Sequence, residues 1–380
     1  MAAFSVVLPI ALAACGSGSL STPSTGSSSS AAATTAAASP TAPPTAAPTS
    51  NPAATPNPGR GQFLLYESSG AWVVKSDGTG KRKVSDGSPV GWSHDGSIVH
   101  LATDATKSGC QVTQLSDLPI DGGAETDVPA SFKHGDWDFD WSPDDTRIAF
   151  FRPTIQRQCG PQTNPDSRMD LMVVDADGTH QRKLAIGVPD GAGASFVWTP
   201  DSRSILVIQQ DDDPPHAGPI VSIDVVTSAP NQLTAASGSY VDAAVSPNGS
   251  QIAFVAGAGG YDATHVANID GSGDRNLGDS SSTDHLVSWS PAGSSLAVLR
   301  GDRNDGPTHL VVAVSSSAPL RDLYDPLAWK GAGPKISWSP DAARVACIAA
   351  AGGIVVVATD GSGASPIPNA AGATDVFWQP

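Results

Sequence analysis

Charged residues are absent from the first 59 positions of this 380-residue chain and are sparse in the remainder. The 21 Lys and Arg residues and the 37 Asp and Glu residues, 58 in total, all fall from Arg60 onward and give a net charge of −16. An acidic surface repels phosphate groups. We therefore expect neither nucleic acid nor an anionic lipid surface as a direct partner.

The sequence also lacks the short motifs of several enzyme classes. It contains no G-x-S-x-G nucleophile motif, no H-E-x-x-H, no C-x-x-C and no glycine-rich phosphate loop. Its eight histidines are scattered without the spacing of metal ligands. We therefore expect no catalytic activity and no cofactor.

The first apolar stretch is short. Residues 4–14 are too few to span a bilayer but match the core of a signal peptide. They end in Leu12-Ala13-Ala14-Cys15, which resembles a bacterial lipoprotein box, although no Lys or Arg precedes the apolar core. We predict a lipoprotein signal peptide over residues 1–14 and lipidation of Cys15, which would anchor the protein to the outside of a bacterial membrane. The alternative is an ordinary cleaved signal and a secreted protein.

A second segment, residues 15–60, has little apolar bulk. Beyond Cys15 it consists almost entirely of Ser, Thr, Ala, Pro, Gly and Asn. Such a composition cannot bury enough apolar surface to offset the entropy lost on folding. We predict a disordered tether that its prolines stiffen.

One short motif recurs through the rest of the chain. Successive copies start 49, 57, 47, 44, 49 and 40 residues apart, the period of four-stranded propeller blades. The copies are WSHDG at Trp92, WSPDD at Trp141, WTPDS at Trp198, VSPNG at Val245, WSPAG at Trp289, WSPDA at Trp338 and the truncated FWQP at Trp378. We call these seven first positions the anchors.

Each copy has the chemistry of a turn between two strands. Ser can start a type I turn, Pro fixes φ at the second position, and Asp or Asn forms local hydrogen bonds. An apolar run follows each complete copy, for example residues 148–151 and 252–255, as in strands buried on both faces. The residue two before the anchor is apolar in all seven copies, so it should share a face with the anchor and pack between blades.

Together these features resemble the repeat of TolB-type β-propellers, W-S-P-D-G-x-x-I-A-F followed by a strand and D-x-D-G. In this chain Asp175-Ala176-Asp177-Gly178 carries the second part of that pattern. The resemblance covers residues 62–380. It implies an all-β propeller domain over residues 61–380 and a protein partner that docks on one face or at the channel mouth, within an envelope complex.

The number of blades follows from the two ends of the repeat region. Residues 63–67 and 71–74 read as second and third strands without a first strand, and residues 374–378 read as a first strand with nothing after it. Together they complete one blade. We predict seven four-stranded blades closed by the terminal strand, which protects the sheet edges; six blades, as in TolB itself, is the alternative.

The cysteines have three different predicted roles. Cys15 is the lipidation site, and Cys347 stands at a core position of its repeat. Cys110 and Cys159 follow the second strands of consecutive repeats, so their loops should emerge side by side. We predict a disulfide between them in an oxidising compartment, with two unpaired thiols as the alternative.

A group of aspartates marks the strand that we expect to line the central channel. Asp138, Asp242 and Asp375 each stand three residues before an anchor, and Asp140 lies near the first of them. Converging carboxylates could hold Ca²⁺ or orient a cationic ligand. Alternatively, these side chains accept hydrogen bonds from backbone amides at the strand starts.

The sequence therefore predicts a monomeric, non-catalytic, lipid-anchored propeller that binds or scaffolds an envelope protein. The alternative is a propeller lyase, hydrolase or ligand-binding protein with its site in the central channel, in which case the aspartates would be catalytic.

Overall fold

The structure is a computed structural model. It describes residues 61–380 except 69, 108, 155–167, 190–194, 210–217, 236, 259–260, 279–281, 303–305, 326–335 and 350–351. In the part of the chain that is described, no helix combines the length and the hydropathy needed to cross a membrane.

The described residues form seven antiparallel sheets of four strands each, so the all-β propeller with seven blades is confirmed. One blade joins both ends of the domain. This closing blade contains β1 (Gln62–Glu67), β2 (Gly70–Lys75), β3 (Arg82–Ser85) and, from the end of the chain, β28 (Asp375–Trp378).

The other six blades are each formed by four consecutive strands, numbered here as blades 1 to 6. Blade 1 contains β4 (Ser88–Trp92), β5 (Ile98–Lys107), β6 (Cys110–Pro119) and β7 (Thr126–Asp127); blade 2 contains β8 (Trp137–Trp141), β9 (Arg147–Pro153), β10 (Arg168–Asp175) and β11 (Arg182–Pro189); blade 3 contains β12 (Phe196–Trp198), β13 (Ser204–Ile208), β14 (Ile220–Asp224) and β15 (Pro230–Gln232).

Blade 4 contains β16 (Ser239–Val245), β17 (Gln251–Ala258), β18 (Tyr261–Asn268) and β19 (Arg275–Asn276); blade 5 contains β20 (Thr283–Trp289), β21 (Leu296–Asp302), β22 (Gly306–Ala313) and β23 (Arg321–Tyr324); blade 6 contains β24 (Ser337–Trp338), β25 (Arg344–Ile348), β26 (Ile354–Ala358) and β27 (Ala364–Pro366).

The closing blade has the strand order that the two ends of the repeat predicted. Strand β28 pairs antiparallel with β1, with Phe63 opposite Trp378 and Tyr66 opposite Asp375. The Phe63 and Trp378 rings are 4.5 Å apart between centroids, and both side chains are buried. The N- and C-terminal strands of the domain therefore share one sheet, and the six-blade alternative is wrong.

The repeated turn between the first and second strands is held by its own side chains. In blade 2 the Ser142 hydroxyl donates to Asp144 Oδ1 at 2.6 Å, the amide of Asp145 donates to the Ser142 carbonyl, and the amide of Arg147 donates to Ser142 Oγ. The same Ser-to-Asp hydrogen bond recurs at Ser339 in blade 6. The motif is thus a self-contained hydrogen-bonded turn, as its residue types predicted.

Apolar packing takes place between the blades. Seven clusters of buried side chains lie in the described residues, and each joins two neighbouring blades. Anchor tryptophans belong to these clusters and also connect blades through their indole N–H groups. Trp198 donates to the Asp140 carbonyl at 3.3 Å, and Trp289 donates to the Ala244 carbonyl at 3.3 Å. The predicted packing of the anchors between blades is confirmed.

Two blades contain a buried ion pair at equivalent positions. In each blade, an aspartate five residues before the anchor pairs with an arginine eleven residues after it. In blade 2, Arg152 binds Asp136 through two hydrogen bonds of 2.8 and 2.6 Å, with side-chain exposures of 7% and 0%. In blade 5, Arg300 Nε donates to Asp284 Oδ1 at 2.7 Å. Each pair ties the start of the first strand to the end of the second.

Candidate functional site

The first strands of the blades line the central channel. Strand β4 contacts β8, β12 contacts β16, β16 contacts β20 and β24 contacts β28, although these strands belong to different sheets. Counterparts in neighbouring blades approach one another most closely near the axis of a ring. The first strands are therefore the innermost strands of the propeller.

All four predicted aspartates lie on these channel strands. Asp138 and Asp140 are on β8, Asp242 is on β16 and Asp375 is on β28. Within the described ranges, no group of three or more His, Cys, Asp or Glu side chains is placed to hold a metal ion. Calcium binding by these aspartates stays a prediction, and thermal melting with calcium against melting with a chelator tests it.

Asp242 has the most unusual environment of the four. Its side chain is partly buried, and Oδ2 accepts a hydrogen bond of 2.9 Å from the backbone amide of Val287 in the next blade. Desolvation raises the pKa of Asp242 to about 6, although the amides of Val287 and Ala243 favour the carboxylate. A carboxyl group with this pKa exchanges its proton close to neutral pH, as a general acid or base must.

The other three aspartates have less unusual environments. Asp375 Oδ1 accepts a hydrogen bond of 2.9 Å from the amide of Val376. Asp138 and Asp140 are exposed, and Asp138 has a φ of 55°, in the left-handed region that Asp tolerates. Asp375, at the start of β28, therefore has the local amide contact of the alternative, whereas Asp242 lies in the middle of β16 and accepts a hydrogen bond from the next blade.

We expect Asp242→Asn to flatten the pH dependence of stability. The folded pKa of about 6 exceeds the ordinary aspartate pKa of 3.8, so the native state binds more protons between these pH values, and stability falls as pH rises through them. This pKa difference corresponds to about 3 kcal/mol of stability. Asn keeps an acceptor for Val287 without ionising. Urea denaturation from pH 4 to 8 measures the effect, with Asp138→Asn as the control; parallel curves for wild type and Asp242→Asn would contradict it.

The cysteine predictions are partly addressed by the structure. Cys110 is disulfide-bonded. Cys159 and Cys15 lie outside the described residues, so the pairing of Cys110 with Cys159 and the lipidation of Cys15 stay predictions. Cys347 is a free, buried thiol, and burial raises the pKa of Cys347 to about 12. It therefore belongs to the core, as its place in the repeat predicted, and is not a reactive thiol.

A second polar cluster lies between blades 1 and 2, beside a cavity of about 190 Å³ that includes Trp92, Asp140 and Trp141 in its wall. His100, on β5, forms another part of this wall, and its side chain is only 4% exposed. Its ring stacks on Trp141 with the centroids 4.0 Å apart and the planes 12° from parallel. A titratable ring is thus fixed at the back of an open cleft.

Two carboxylates face this ring. Nδ1 of His100 is 2.7 Å from Asp117 Oδ1 on β6. Nε2 has no hydrogen-bond partner among the described residues and is 3.7 Å from Asp145 Oδ1. Burial alone would lower the pKa of His100, but Asp117 and Asp145 outweigh that effect and raise the pKa.

Comparison with known proteins extends the resemblance from the repeat to the whole fold. No protein-family model matches the chain, and no curated protein matches it. Among solved structures, TolB from Acinetobacter baumannii matches with a TM-score of 0.50 and 17% identity, over 74% of this chain and 66% of that one. The chain has a TolB-like propeller fold.

The same fold also occurs in enzymes. An oligogalacturonate lyase in complex with manganese matches the TolB-like propeller with a TM-score of 0.53 and 15% identity, over 73% of this chain and 75% of that one. A puromycin hydrolase matches with a TM-score of 0.52 and 16% identity, over 79% of this chain and 49% of its own length. These identities show the fold alone.

Within the TolB-like propeller, the cluster around His100 departs from the repeat, and sequence reasoning missed it. His100 stands eight residues after its anchor, where the other complete copies have Ala149, Leu206, Ala253, Ala297 and Ala346. Asp117 lies opposite His100, where the corresponding partners are Val173, Ser222, Val266, Val312 and Val356. Aligning the copies position by position would have revealed both departures.

Proposed function

We propose that this protein is a non-catalytic extracytoplasmic lipoprotein whose propeller binds or scaffolds another protein of the cell envelope. The TolB-like propeller carries this proposal, because a closed ring of sheets presents a broad rigid surface for a partner. The apolar residues 4–14 followed by Cys15 support a position outside the cytoplasm. The disulfide at Cys110 supports an oxidising compartment.

The channel mouth at the start of β8 is the surface that we assign to the partner. Trp137 begins this strand, at the end opposite the repeated turns, and 38% of the residue is exposed. Its ring rests on Phe151 with the centroids 5.5 Å apart. A large aromatic side chain held in place by a core residue loses little entropy on binding and is a frequent interface anchor.

Capture of partners from an envelope extract tests this proposal. Immobilised protein should retain a specific envelope protein, and Trp137→Ala should weaken that retention. Val226→Ala is the matched control, because Val226 is 71% exposed but lies beyond the third strand of blade 3, away from the channel. Equal retention by wild type and Trp137→Ala would remove the channel mouth as the docking surface.

We expect membrane attachment to depend on Cys15. Cys15→Ser removes the thiol that would carry the lipid, and a single acyl chain binds a membrane only marginally, so the full lipoprotein modification is required. The variant should move from the membrane fraction to the soluble fraction, and processing of the wild type should be sensitive to globomycin. A Cys15→Ser protein that stays with the membranes would contradict the lipid anchor.

The second candidate function is a lyase or hydrolase with its site in the channel. The observation that favours it is Asp242, a channel carboxyl group with its pKa raised to about 6. Screening for turnover with and without added divalent metal, on wild type and on Asp242→Asn, separates the two functions. Activity that Asp242→Asn abolishes without loss of folding would replace the binding proposal by the enzyme.

A further inference from the structure

The cleft between blades 1 and 2 offers hydrogen-bond acceptors. When the His100 ring is neutral, Nδ1–H is directed to Asp117, so Nε2 is an acceptor. The Asp145 carboxylate faces Nε2 from the turn between β8 and β9, and the side chains of Asp140 and His94 line the same cavity. A group that enters between Nε2 and Asp145 must therefore supply hydrogen-bond donors, and the negative charge of Asp145 favours a cationic donor.

The distance between the two acceptors suits one shared donor. Nε2 and Asp145 Oδ1 are 3.7 Å apart, too far for a hydrogen bond to each other. Because Nε2 is buried, a nitrogen can complete both bonds, at about 2.9 Å from each atom, only when the Asp145 side chain moves to admit it. The cavity wall also includes the aromatic residues Trp92 and Trp141, and the His100 ring covers one face of Trp141.

The turn that presents Asp145 also departs from the repeat. Asp145 stands four residues after its anchor with a φ of 56°, where the other copies have Gly96, Ser202, Gly249, Gly293 and Ala342. Its carboxylate accepts hydrogen bonds of 3.1 and 3.3 Å from the amide of His94 in blade 1. Three single-copy departures, His100, Asp117 and Asp145, thus meet at one blade interface.

We propose that this cleft binds a primary alkylammonium group, with the His100 ring and the Asp145 carboxylate as its hydrogen-bond acceptors. The group is either the end of a lysine side chain on the envelope partner or a free alkylamine. In the lysine case the inference rests on the proposed function and requires the partner to contact also the end of the propeller that carries the repeated turns, opposite Trp137. In the free-amine case the cleft is a separate ligand site.

Protonation of His100 competes with this ligand. The imidazolium form turns Nε2 into a donor that faces Asp145, which removes one acceptor and partly neutralises the other. Among the described residues, the titratable groups that face the cleft or the ring are Asp117, Asp140, Asp145 and His94. Because the pKa of His100 is raised, ammonium binding should strengthen as pH rises from 6 to 9, where an alkylamine is still protonated.

The repeat itself supplies variants that the fold accommodates. His100→Ala restores the residue found at the equivalent position in four blades, and Asp117→Val restores the residue found opposite it in four blades. The double variant removes the ring without leaving the partly buried Asp117 carboxylate unpaired. Asp145→Gly restores the residue of three other turns. Circular dichroism and thermal melting establish that each variant folds.

Calorimetric titration with butylammonium and with Nα-acetyl-lysine methylamide tests the inference. Wild type should bind both saturably, and it should not bind Nα-acetyl-norleucine methylamide, which lacks the ammonium group. His100→Ala with Asp117→Val, and separately Asp145→Gly, should each weaken binding at least about tenfold, the effect of losing a charged hydrogen bond. No saturable binding by wild type at pH 8.5, or undiminished binding by the folded variants, would overturn the inference.

Partner capture distinguishes the two sources of the ammonium group. If Asp145→Gly loses both butylammonium and the envelope partner, the group belongs to a lysine of the partner. If it loses butylammonium but retains the partner, the ligand is a free amine. Failed ammonium binding with intact partner capture would overturn this inference alone, whereas failed capture with intact ammonium binding would overturn only the proposed protein-binding function.

Discussion

Removing residues 374–380 should lower the melting temperature by at least about 10 °C or prevent folding. The deletion removes β28, the first strand of the closing blade, together with its pairing to β1. Val376 and Trp378 are 1% and 7% exposed, and burial of such side chains contributes about 1.5–3 kcal/mol each. Since a domain is stable by about 5–15 kcal/mol, this loss is a large fraction of the total.

The loss extends beyond the closing blade. The Phe377 carbonyl accepts the indole N–H of Trp92 in blade 1 at 3.2 Å, and the amide of Trp378 donates to Ser337 in blade 6 at 2.6 Å. The side-chain amide of Gln379 donates to the Gly96 carbonyl at 2.7 Å. Both neighbours of the closing blade therefore lose contacts, and the ring opens at a new pair of edges.

Deletion of residues 16–58 is the control for this experiment. The composition of that segment predicts no contribution to the core, so its removal should leave the melting temperature unchanged. Differential scanning calorimetry of the wild type and both shortened proteins measures the comparison. Equal melting temperatures for all three proteins would show that terminal-strand closure does not stabilise the ring.

The fold could be predicted because the same local chemistry is repeated seven times. A turn such as residues 142–145 is stabilised by its own side chains, so its residue types alone predict it. The anchor tryptophans recur at the spacing of a blade, and the split closing blade follows from which strands are missing at each end. Repetition turns several weak local signals into one strong prediction of the architecture.

The functional residues could be predicted only in part, because they depart from the repeat. The four channel aspartates were found from their position relative to the anchor, but the desolvation of Asp242 depends on packing against the next blade. Asp145 reaches His100 from the neighbouring blade, across 45 positions of sequence. The geometry of the ring determines which residues of neighbouring blades meet, and a local sequence pattern cannot predict that.

The buried ion pairs are a second feature that local patterns do not reveal, and we expect Asp136→Ala to destabilise the protein by about 3–5 kcal/mol. Asp136 is fully buried, and its carboxylate binds the Arg152 guanidinium through two hydrogen bonds. Truncating the aspartate leaves a buried guanidinium without its counter-charge. Gln181 Oε1, at 3.1 Å from Nη1, cannot replace that charge. Urea denaturation at pH 7 measures the change.

Replacing the whole pair separates the loss of attraction from the penalty of an unpaired charge. Asp136→Leu combined with Arg152→Met removes both charges and keeps apolar volume, so it should recover most of the stability lost in Asp136→Ala. Asp284→Ala in blade 5 should repeat the large loss, because Arg300 is placed like Arg152. Lys83→Ala, which breaks the exposed pair with Asp86, should have no measurable effect. If Asp136→Ala cost as little stability as Lys83→Ala, the Arg152 charge would have to be solvated in the native state. Blade 2 would then have to open at the start of β8, beside the Trp137 surface proposed for the partner.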